Sequence, residues 1–346
     1  MSDSPEIFPP VRVVLVGCGG VSNAWLTNCK ANPGIEIVGL VDLNLASAQA
    51  QATKYGLDVP LYTDLPEALA ALKPETVFDC SIPATHSWVA CTAMEAGAHA
   101  ISEKPLSDTM ESARKSVETA RRTGKTYAIM QNRRSESAAR RFRELIAGGA
   151  IGPVYALYCD FFKAVYFSGF RAEMPHVLLV DMAIHHFDIA RFLSGKDALS
   201  VYCLETNPTH AWPGFGANAH AIFQMADNVV FNYSGSWCAE GQETSWNAHW
   251  RVVGETGTAF WNGDSRIVVE KVGKDAEGNR AVSREELEIP VDPWPGPHGY
   301  VIGNFIRDIR AGAAPETRAE DNIKSLAMVL GAVASAESGV VVPVEG

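Results

Sequence analysis

The 346-residue sequence lacks the features of several specialised protein classes. Its 7 cysteines are an odd number, widely spread and without a Cys-x-x-Cys pair, which argues against a disulfide framework or a zinc knuckle. No stretch approaches the roughly 20 apolar residues that a membrane helix needs. Residues 1–10 carry Asp3 and Glu6 and have no apolar core, unlike a secretory signal. These absences predict a cytoplasmic protein with reduced, mostly buried thiols and no membrane partner.

Positive charge is also scarce. The chain has 29 basic and 40 acidic side chains, which give it a formal charge of −11. A general nucleic-acid binder needs a basic face to neutralise phosphates, so we expect no nucleic-acid partner. The apolar fraction of 47% and the charged fraction of 20% are ordinary for a globular protein. The length predicts two domains.

The first third of the chain alternates short β-rich runs with helical patterns. An apolar strand over residues 11–16 is followed by glycines and by a helix over 21–31, and the alternation continues to residue 131. Such alternation is typical of βαβ units, in which a parallel sheet carries helices on both faces. It predicts an α/β domain over residues 1–131 with a doubly wound parallel sheet.

The pattern changes after the first domain, and longer strands follow. The short link at residues 226–228 joins two of these strands and predicts a hairpin in an antiparallel sheet. One apolar helix over 177–193 interrupts the series, and two helices near 300–311 and 321–336 close the chain. We therefore predict a second α/β domain over residues 132–346.

A glycine-rich loop follows the first strand and opens the first helix. A dinucleotide pyrophosphate needs main-chain N–H groups at a helix N-terminus, with glycines that allow close approach. An acid, Asp42, ends the second strand, where it can accept the ribose hydroxyls. An ordinary strand–helix turn is the alternative, but the order of strand, loop, helix and acid favours a dinucleotide. The residues expected to bind it here are Gly17, Gly19, Gly20, Val21, Ser22 and Asp42.

The carboxylate of Asp42 also favours one dinucleotide over the other. Its negative charge would repel a 2′-phosphate, and no Arg or Lys follows it before Lys54. NAD is therefore the expected cofactor, and NADP is less favoured.

A lysine follows a later strand of the same series. Lys104 stands two residues after the strand over 99–102, at the strand end where open parallel sheets bind ligands. Pro105 restricts Lys104 to extended conformations and would hold its amine in place. The alternative is a surface lysine before a turn.

The apolar helix over 177–193 carries an unexpected polar stripe. Asp181, His185 and Asp188 are spaced i, i+4 and i+7 and so fall on one helix face. A carboxylate one turn before an imidazole can orient it and prepare it to exchange a proton with a hydroxyl. The alternative is a core network in which Asp188 also pairs with Arg191. His186 points about 100° away from its neighbour His185, so we predict no metal site.

Together these motifs resemble one known family. The glycine loop at 17–22, Ser81-Ile82-Pro83-Ala84-Thr85-His86, Glu103-Lys104-Pro105 and Asp181-x-x-x-His185 occur in the order found in the Gfo/Idh/MocA oxidoreductases. The resemblance extends to residues 335–339, which we expect after the last helix. It implies an N-terminal Rossmann domain and a C-terminal α/β domain with an open, mostly antiparallel sheet. It further implies NAD or NADP as cofactor and a sugar, polyol or related cyclic compound as substrate.

The resemblance also implies roles for residues at matching positions. His185 would take the proton of the reacting hydroxyl, Lys104 would hydrogen-bond that oxygen, and Asp181 would orient both. Ser81, Pro83, His86, Glu103 and Lys104 would also bind the cofactor, and Pro83 and His86 would lie near its nicotinamide end.

Two departures from the family pattern concern the substrate. The key helix is preceded by Pro175-His176 where glycines are usual, and Ala183 stands where Gly is common. Substrate identity is therefore the least transferable inference. For each further substrate candidate a surface or structural role is the alternative; these candidates are Asn132, Arg133, Lys163, Tyr166, Arg171 and His176.

Three functions are compatible with these observations. The first is a dehydrogenase or reductase acting at a secondary hydroxyl of a sugar or polyol. The second is a NAD-dependent glycosidase that oxidises the ring transiently, and the third is a non-catalytic sugar and NAD sensor. Most of the 8 tryptophans fall in the second domain, where we expect them to pack in the sheet or an interface. A sheet face rich in aromatic residues predicts a homo-oligomer formed through the C-terminal sheet.

Overall fold

The computed structural model describes residues 9–212, 214–291 and 296–346 and divides into two compact units. The first comprises Met1–Asn132 and Pro293–Ile323, and the second comprises Arg133–Asp292 and Lys324–Gly346. The sequence placed all of residues 132–346 in one second domain. The structure differs, because the chain returns to the first unit over residues 293–323.

The first unit is built on a parallel sheet of six strands, which confirms the predicted doubly wound α/β domain. Its strands are β1 (Val11–Val16), β2 (Ile35–Val41), β3 (Leu61–Tyr62), β4 (Thr76–Asp79), β5 (His99–Ser102) and β6 (Tyr127–Ile129). The spatial order is β3-β2-β1-β4-β5-β6. The order reverses between β1 and β4, and ligands of such sheets bind beyond the carboxyl ends of the strands at that point.

Helices connect these strands. They are α1 (Ser22–Ala31), α2 (Leu45–Tyr55), α3 (Leu65–Leu72), α4 (Pro83–Glu95) and α5 (Met110–Thr123). Their ends follow local chemistry. The side chains of Asn44, Asp64 and Thr109 accept N-cap hydrogen bonds, and Gly56 and Gly124 end two helices with positive φ.

The second unit contains the remaining strands and most of the remaining helices. Its helical elements are α6 (Ser137–Ala147), α7 (Phe170–Glu173), a π-helix (Leu178–Ala183) and α8 (Ile184–Ser194). The closing helices are α9 (Gly296–Ala311), which belongs to the first unit, and α10 (Ala319–Ser338), which the division between units crosses. Apolar side chains of α9 explain the return, because Val301, Ile302, Phe305 and Ile306 are buried in the core of the first unit. Phe305 packs edge-on against Phe78 of β4, with ring centroids 6.3 Å apart.

A mixed sheet dominates the second unit. In the described residues it has nine strands in the order β14-β13-β12-β11-β7-β10-β9-β8-β15. The strands are β7 (Val154–Phe162), β8 (Ala198–Thr206), β9 (Asn218–Met225), β10 (Val230–Ser236), β11 (His249–Gly254), β12 (Gly257–Trp261), β13 (Ile267–Lys274), β14 (Arg280–Leu287) and β15 (Val342–Pro343). The β10–β7 pair is parallel and the other described pairs are antiparallel, so the mostly antiparallel sheet is confirmed. The hairpin at 226–228 is confirmed by the β9–β10 pairing.

Two sequence predictions about helices are wrong in detail. The helix expected over 177–193 is a π-helix in its first part, Leu178–Ala183, and an α-helix only from Ile184 onwards. Residues 335–338 do not follow the last helix but form its end, since α10 runs to Ser338. In both cases the sequence gives an apolar helical pattern without a breaker, and such a pattern fixes neither the helix type nor the terminal turn.

All seven cysteines are buried and none forms a disulfide, in agreement with the predicted buried thiols. Burial raises the pKa of Cys29 to about 12. Of the helices in the described part of the chain, none combines the length and apolar character needed to span a membrane.

Candidate functional site

The glycine loop packs directly against the turn after β4. Gly17 has φ +83°, and a Cβ there would lie 2.7 Å from main-chain atoms of Cys80 and Ser81, so only glycine fits. A Cβ at Gly19 or Gly20 would meet nothing within 4 Å, which leaves open space beside the loop. The loop thus has the room that a pyrophosphate needs.

Ser22, the last residue of the glycine loop, forms a hydrogen bond within it. Ser22 is fully buried, and its Oγ donates to the carbonyl of Gly19 at 2.6 Å. A small hydroxyl is therefore accommodated where the helix packs on the strand. Val21, the other loop residue expected to bind cofactor, precedes α1 and is 44% exposed.

Asp42 is fixed at the end of β2. Its Oδ2 accepts from the main-chain N–H of Cys18 at 2.7 Å, and its Oδ1 accepts from the main-chain N–H of Asn44 at 2.8 Å. Each oxygen keeps a further lone pair for a ribose hydroxyl. The acid is thereby held in register with the glycine loop.

A cavity of about 400 Å³ lies beyond Asp42, within the size range of cofactor sites. The predicted residues Gly17, Gly19, Asp42 and Ser81 line it. Sequence reasoning missed the rest of its wall, which includes Leu43, Thr63, Asp64, Leu65, Ile82, Thr85, Trp88 and Val89. Several of these follow the carboxyl ends of β3 and β4, a position that the strand pattern alone could have identified. Its apolar wall and the fixed carboxylate of Asp42 fit the adenosine half of a dinucleotide.

The turn carrying Lys104 is clamped through its neighbour Glu103. The indole N–H of Trp25 donates to Glu103 Oε1 at 2.8 Å, and the main-chain N–H of Lys104 lies 3.2 Å from Oε2. Burial disfavours ionisation of Glu103, but His298 and Trp25 outweigh that effect and hold its pKa below the usual value. Lys104 therefore follows a buried carboxylate that stays ionised.

His86 supports the same turn from the other side. Its ring is fully buried, with Nδ1 2.7 Å from the carbonyl of Pro105 and Nε2 3.1 Å from the carbonyl of Ser81. Both nitrogens are thus engaged with main chain in the first unit. Ser81 also shares a hydrogen bond of 2.7 Å with Thr85, and Pro83 is the first residue of α4.

In the second unit the polar stripe separates into different environments. Asp188 is fully buried and accepts from Arg134 Nε at 2.6 Å and from Ser325 Oγ at 2.8 Å. Asp181, in the π-helix, accepts from Arg171 Nε at 2.8 Å, and His185 is 6% exposed. Asp188 therefore belongs to a core ion pair, as in the structural alternative, although the sequence did not identify Arg134 as its partner.

His186, the neighbour of His185, is a core residue. Its ring is fully buried and stacks on Tyr233 with centroids 5.6 Å apart. Burial lowers the pKa of His186 to about 3, so it remains neutral. Among the described residues no group of three or more His, Cys, Asp or Glu side chains is arranged to hold a metal ion.

Two substrate candidates meet on one aromatic ring. The charged groups of Arg133 and Lys163 lie 5.8 Å and 5.4 Å from the ring centroid of Trp246. Lys163 also pairs with Glu243 at 2.8 Å, and Arg133 donates to Asn247 at 2.9 Å. Burial lowers the pKa of Arg133. Sequence reasoning did not single out Trp246, which is 39% exposed. Trp237, Trp250 and Trp261 are buried as expected, and Trp294 lies outside the described residues.

The other substrate candidates are dispersed. Tyr166 donates to Glu240 Oε1 at 2.7 Å. His176 sits between two carboxylates, pairing with Glu205 and lying 3.3 Å from Glu337 Oε1. Asn132 Nδ2 lies 3.2 Å from His298 Nδ1. Asn132 and His176 thus have protein partners that suit structural roles.

Comparison with known proteins identifies the family. Residues 11–131 match the model of the GFO/IDH/MocA oxidoreductase family with an NAD-binding Rossmann fold, and residues 139–260 match the GFO/IDH/MocA C-terminal domain. The chain therefore belongs to the GFO/IDH/MocA family of oxidoreductases, as its motifs predicted. This is a family of NAD-binding enzymes acting on sugars or polyols, which confirms NAD as the cofactor.

Named relatives and a solved structure agree with this assignment. The chain is 32% identical over 235 residues to D-glucoside 3-dehydrogenase from Escherichia coli K12. That alignment covers 66% of this chain and 62% of that protein. It is 25% identical to 1,5-anhydro-D-fructose reductase from Ensifer adhaerens, over 96% of this chain and 98% of that protein. A crystal structure of an Agrobacterium radiobacter oxidoreductase in complex with NAD+, L-tartaric acid and magnesium has the same fold, with a TM-score of 0.83, 20% identity and coverage of 96% and 98%.

The first prediction concerns Asp42. Replacing Asp42 with Ala should weaken NAD+ binding about tenfold and NADP+ binding much less, because only NAD+ has a free 2′-hydroxyl on that ribose for the carboxylate to accept from. Trp88 lines the cavity and is 54% exposed, so quenching of its fluorescence reports the two dissociation constants. Asp58→Ala, an exposed acid nearby in sequence, is the control. Equal losses for both dinucleotides would remove Asp42 from cofactor selection.

The second prediction concerns Asp188. Asp188→Ala leaves the Arg134 charge buried without its carboxylate and should lower the free energy of unfolding by about 3–5 kcal/mol. Urea denaturation measures this loss. Asp58→Ala, which removes an exposed acid, should change stability by less than about 0.5 kcal/mol. A stable Asp188→Ala protein that had lost only turnover would place Asp188 in the reacting group instead.

Proposed function

We propose that this chain transfers hydride between a secondary hydroxyl of a sugar or polyol and NAD. The observation that carries the proposal is the Lys104 turn, held by buried Glu103 and His86 in the same unit as the Asp42 cavity. A surface lysine would not need two buried supports. Family membership and the names of the relatives support the sugar or polyol class.

In this proposal three side chains handle the proton and the oxygen. His185 takes the proton of the substrate hydroxyl, which lets the carbon-bound hydrogen leave with its electron pair. Lys104 donates a hydrogen bond to the same oxygen and stabilises its developing negative charge. Asp181 orients the group, and its own orientation is set by Arg171 at 2.8 Å. When bound, NAD supplies the hydride acceptor, and in the reverse direction NADH supplies the donor.

The cofactor is held by residues of the first unit. The Gly17–Ser22 loop offers main-chain N–H groups and open space to the pyrophosphate. Asp42 accepts the ribose hydroxyls. The cavity beyond it takes the adenine against Trp88 and Ile82, whose side chains are 54% and 61% exposed.

Substrate contacts remain with the second unit. Trp246 presents an aromatic face with Arg133 and Lys163 beside it, an arrangement suited to the apolar face and hydroxyls of a sugar ring. Tyr166 and Arg171 are the further contacts that we propose. We assign the domains accordingly, with cofactor binding in the first unit and substrate binding in the second.

A panel assay tests this function. Methyl D-glucoside, myo-inositol and p-nitrophenyl D-glucoside are each offered with NAD+, and 1,5-anhydro-D-fructose with NADH, while nicotinamide absorbance and released nitrophenol are followed together. We expect net reduction or oxidation of nicotinamide without nitrophenol release. Nitrophenol release without net reduction would indicate the glycosidase, and binding without turnover the sensor.

Site variants define the chemistry. Lys104→Ala and His185→Ala should each lower kcat by about 10²–10⁴ while leaving NAD+ affinity largely intact, because a proton-handling group is lost and the cofactor site is not. Lys115→Ala, on the exposed face of α5, and His220→Ala, on the exposed face of β9, are the matched controls. Rates like the wild type in both site variants would refute the assignment.

We also infer a homo-oligomer through the outer face of the second sheet. The strand register aligns Tyr202, Ile222, Asn232 and Tyr158 in one row across β8, β9, β10 and β7. Tyr158, Tyr202 and Ile222 are 43%, 41% and 53% exposed. The exposed tyrosine and isoleucine side chains of this row suit a second copy of the same face, related by a two-fold axis.

Sedimentation velocity tests the oligomer. Ile222→Glu should convert the assembly to monomers, because it buries an unpaired charge at the centre of the row. Val291→Glu changes a side chain that is 95% exposed away from the row and should leave the assembly intact. A wild-type chain that sediments as a monomer would overturn the inference.

A further inference from the structure

Glu103 is surrounded by groups from four elements of the first unit. Its oxygens contact the indole of Trp25 on α1 and the main chain of Lys104. The titratable groups that act on it or respond to its charge are His298, Lys104, Asp79 and Cys80. Burial raises the pKa values of Asp79 and Cys80, and the charge of Glu103 raises them further, because a second anion beside it is unfavourable. The ionised form of Glu103 itself is favoured by His298 and Trp25.

His298 is the neighbour of Glu103 that sequence reasoning missed. It lies on α9, in the segment that returns to the first unit, and its Nε2 is 3.8 Å from Glu103 Oε1. Its other nitrogen, Nδ1, is 3.2 Å from the amide nitrogen of Asn132. Since that amide donates, Nδ1 accepts, and the ring proton is placed on Nε2, on the side of Glu103. Asn132 thus sets the tautomer.

Asn132, His298 and Glu103 thus form a chain of contacts that can position the Lys104 turn without taking part in the reaction. We propose that His298 is a positioning residue for the Lys104 turn: backed by Asn132, its Nε2–H faces the Glu103 carboxylate across 3.8 Å and electrostatically favours one orientation of that carboxylate beside Lys104. The proposal rests on the function proposed above and gives Asn132 a role different from substrate contact. The return of α9 to the first unit is what brings His298 to Glu103.

The first part of the test measures the kinetics of His298 variants, with the most active compound of the panel as substrate. His298→Ala should lower kcat about tenfold with little change in KM for NAD+. The acid limb of its kcat–pH profile should also shift to higher pH, because Glu103 protonates more readily without His298. His298→Gln keeps an N–H near the same place and should recover most of the rate. Asn304→Ala, on the same helix with Arg307 as its partner, is the control.

A double variant isolates the pathway through Glu103. Glu103→Gln keeps an acceptor for Trp25 but has no charge to hold. In that background His298→Ala should add no further loss of kcat, whereas independent effects would multiply. Multiplied losses would show that His298 acts elsewhere and would overturn the proposal.

A cofactor-free readout completes the test. The indole N–H of Trp25 bonds to Glu103, so its ¹H–¹⁵N resonance follows the titration of that acid; Trp25→Phe assigns the peak. In His298→Ala the midpoint should move to higher pH by a measurable shift, because a group that lowers the pKa of Glu103 has been removed. Asn304→Ala should leave it in place, and circular dichroism checks that each variant is folded.

The outcomes separate this proposal from the function on which it rests. An unmoved Trp25 midpoint in a folded His298→Ala protein overturns the positioning role, even if the wild-type chain is a dehydrogenase. A shifted midpoint in a chain that turns over none of the panel compounds refutes the proposed function and leaves the His298–Glu103 coupling supported.

Discussion

Close packing between two turns at the carboxyl edge of the parallel sheet determines the geometry on which the candidate site depends. Gly17 lies against the main chain of Cys80 with no room for a Cβ. The residue after Gly17, Cys18, donates the N–H that fixes Asp42. The turn after Cys80 leads into the helix that carries His86, which in turn holds the lysine turn through a carbonyl. Cofactor loop, ribose acid and lysine turn are therefore parts of one packed assembly.

The acidic side chains of the polar stripe in the second unit have two different roles. Its helix changes from π to α between Ala183 and Ile184, so the polar stripe is divided between two helix types. Asp188 is committed to Arg134 in the core, whereas Asp181 pairs with the half-buried Arg171. A wider π turn is often found at functional sites, where it redirects side chains at a cost in hydrogen bonding. The firm Asp188 pair stabilises the α-helical half next to it.

The sequence was sufficient for features that have a local signature. A few adjacent residues are enough to predict the strand alternation, the glycine loop, Asp42 and the hairpin at 226–228. The structure has each of them where it was expected. Features that depend on contacts between residues far apart in the chain have no such local sequence pattern. The partner of Asp188, the return of α9 and the contact of His298 with Glu103 join residues far apart in the chain, and periodicity carries no information about them. The π-helix was missed because its apolar pattern also suits an α-helix.

The most direct measurement is a crystal structure of the wild-type chain with both NAD+ and the most active compound of the panel bound. The account predicts the pyrophosphate at the Gly17–Ser22 loop, a ribose on Asp42, and both Lys104 Nζ and the His185 ring within reach of one substrate oxygen beside nicotinamide C4, at hydrogen-bonding distances of about 3 Å from that oxygen. A nicotinamide ring bound with either side chain out of reach of such an oxygen would contradict it.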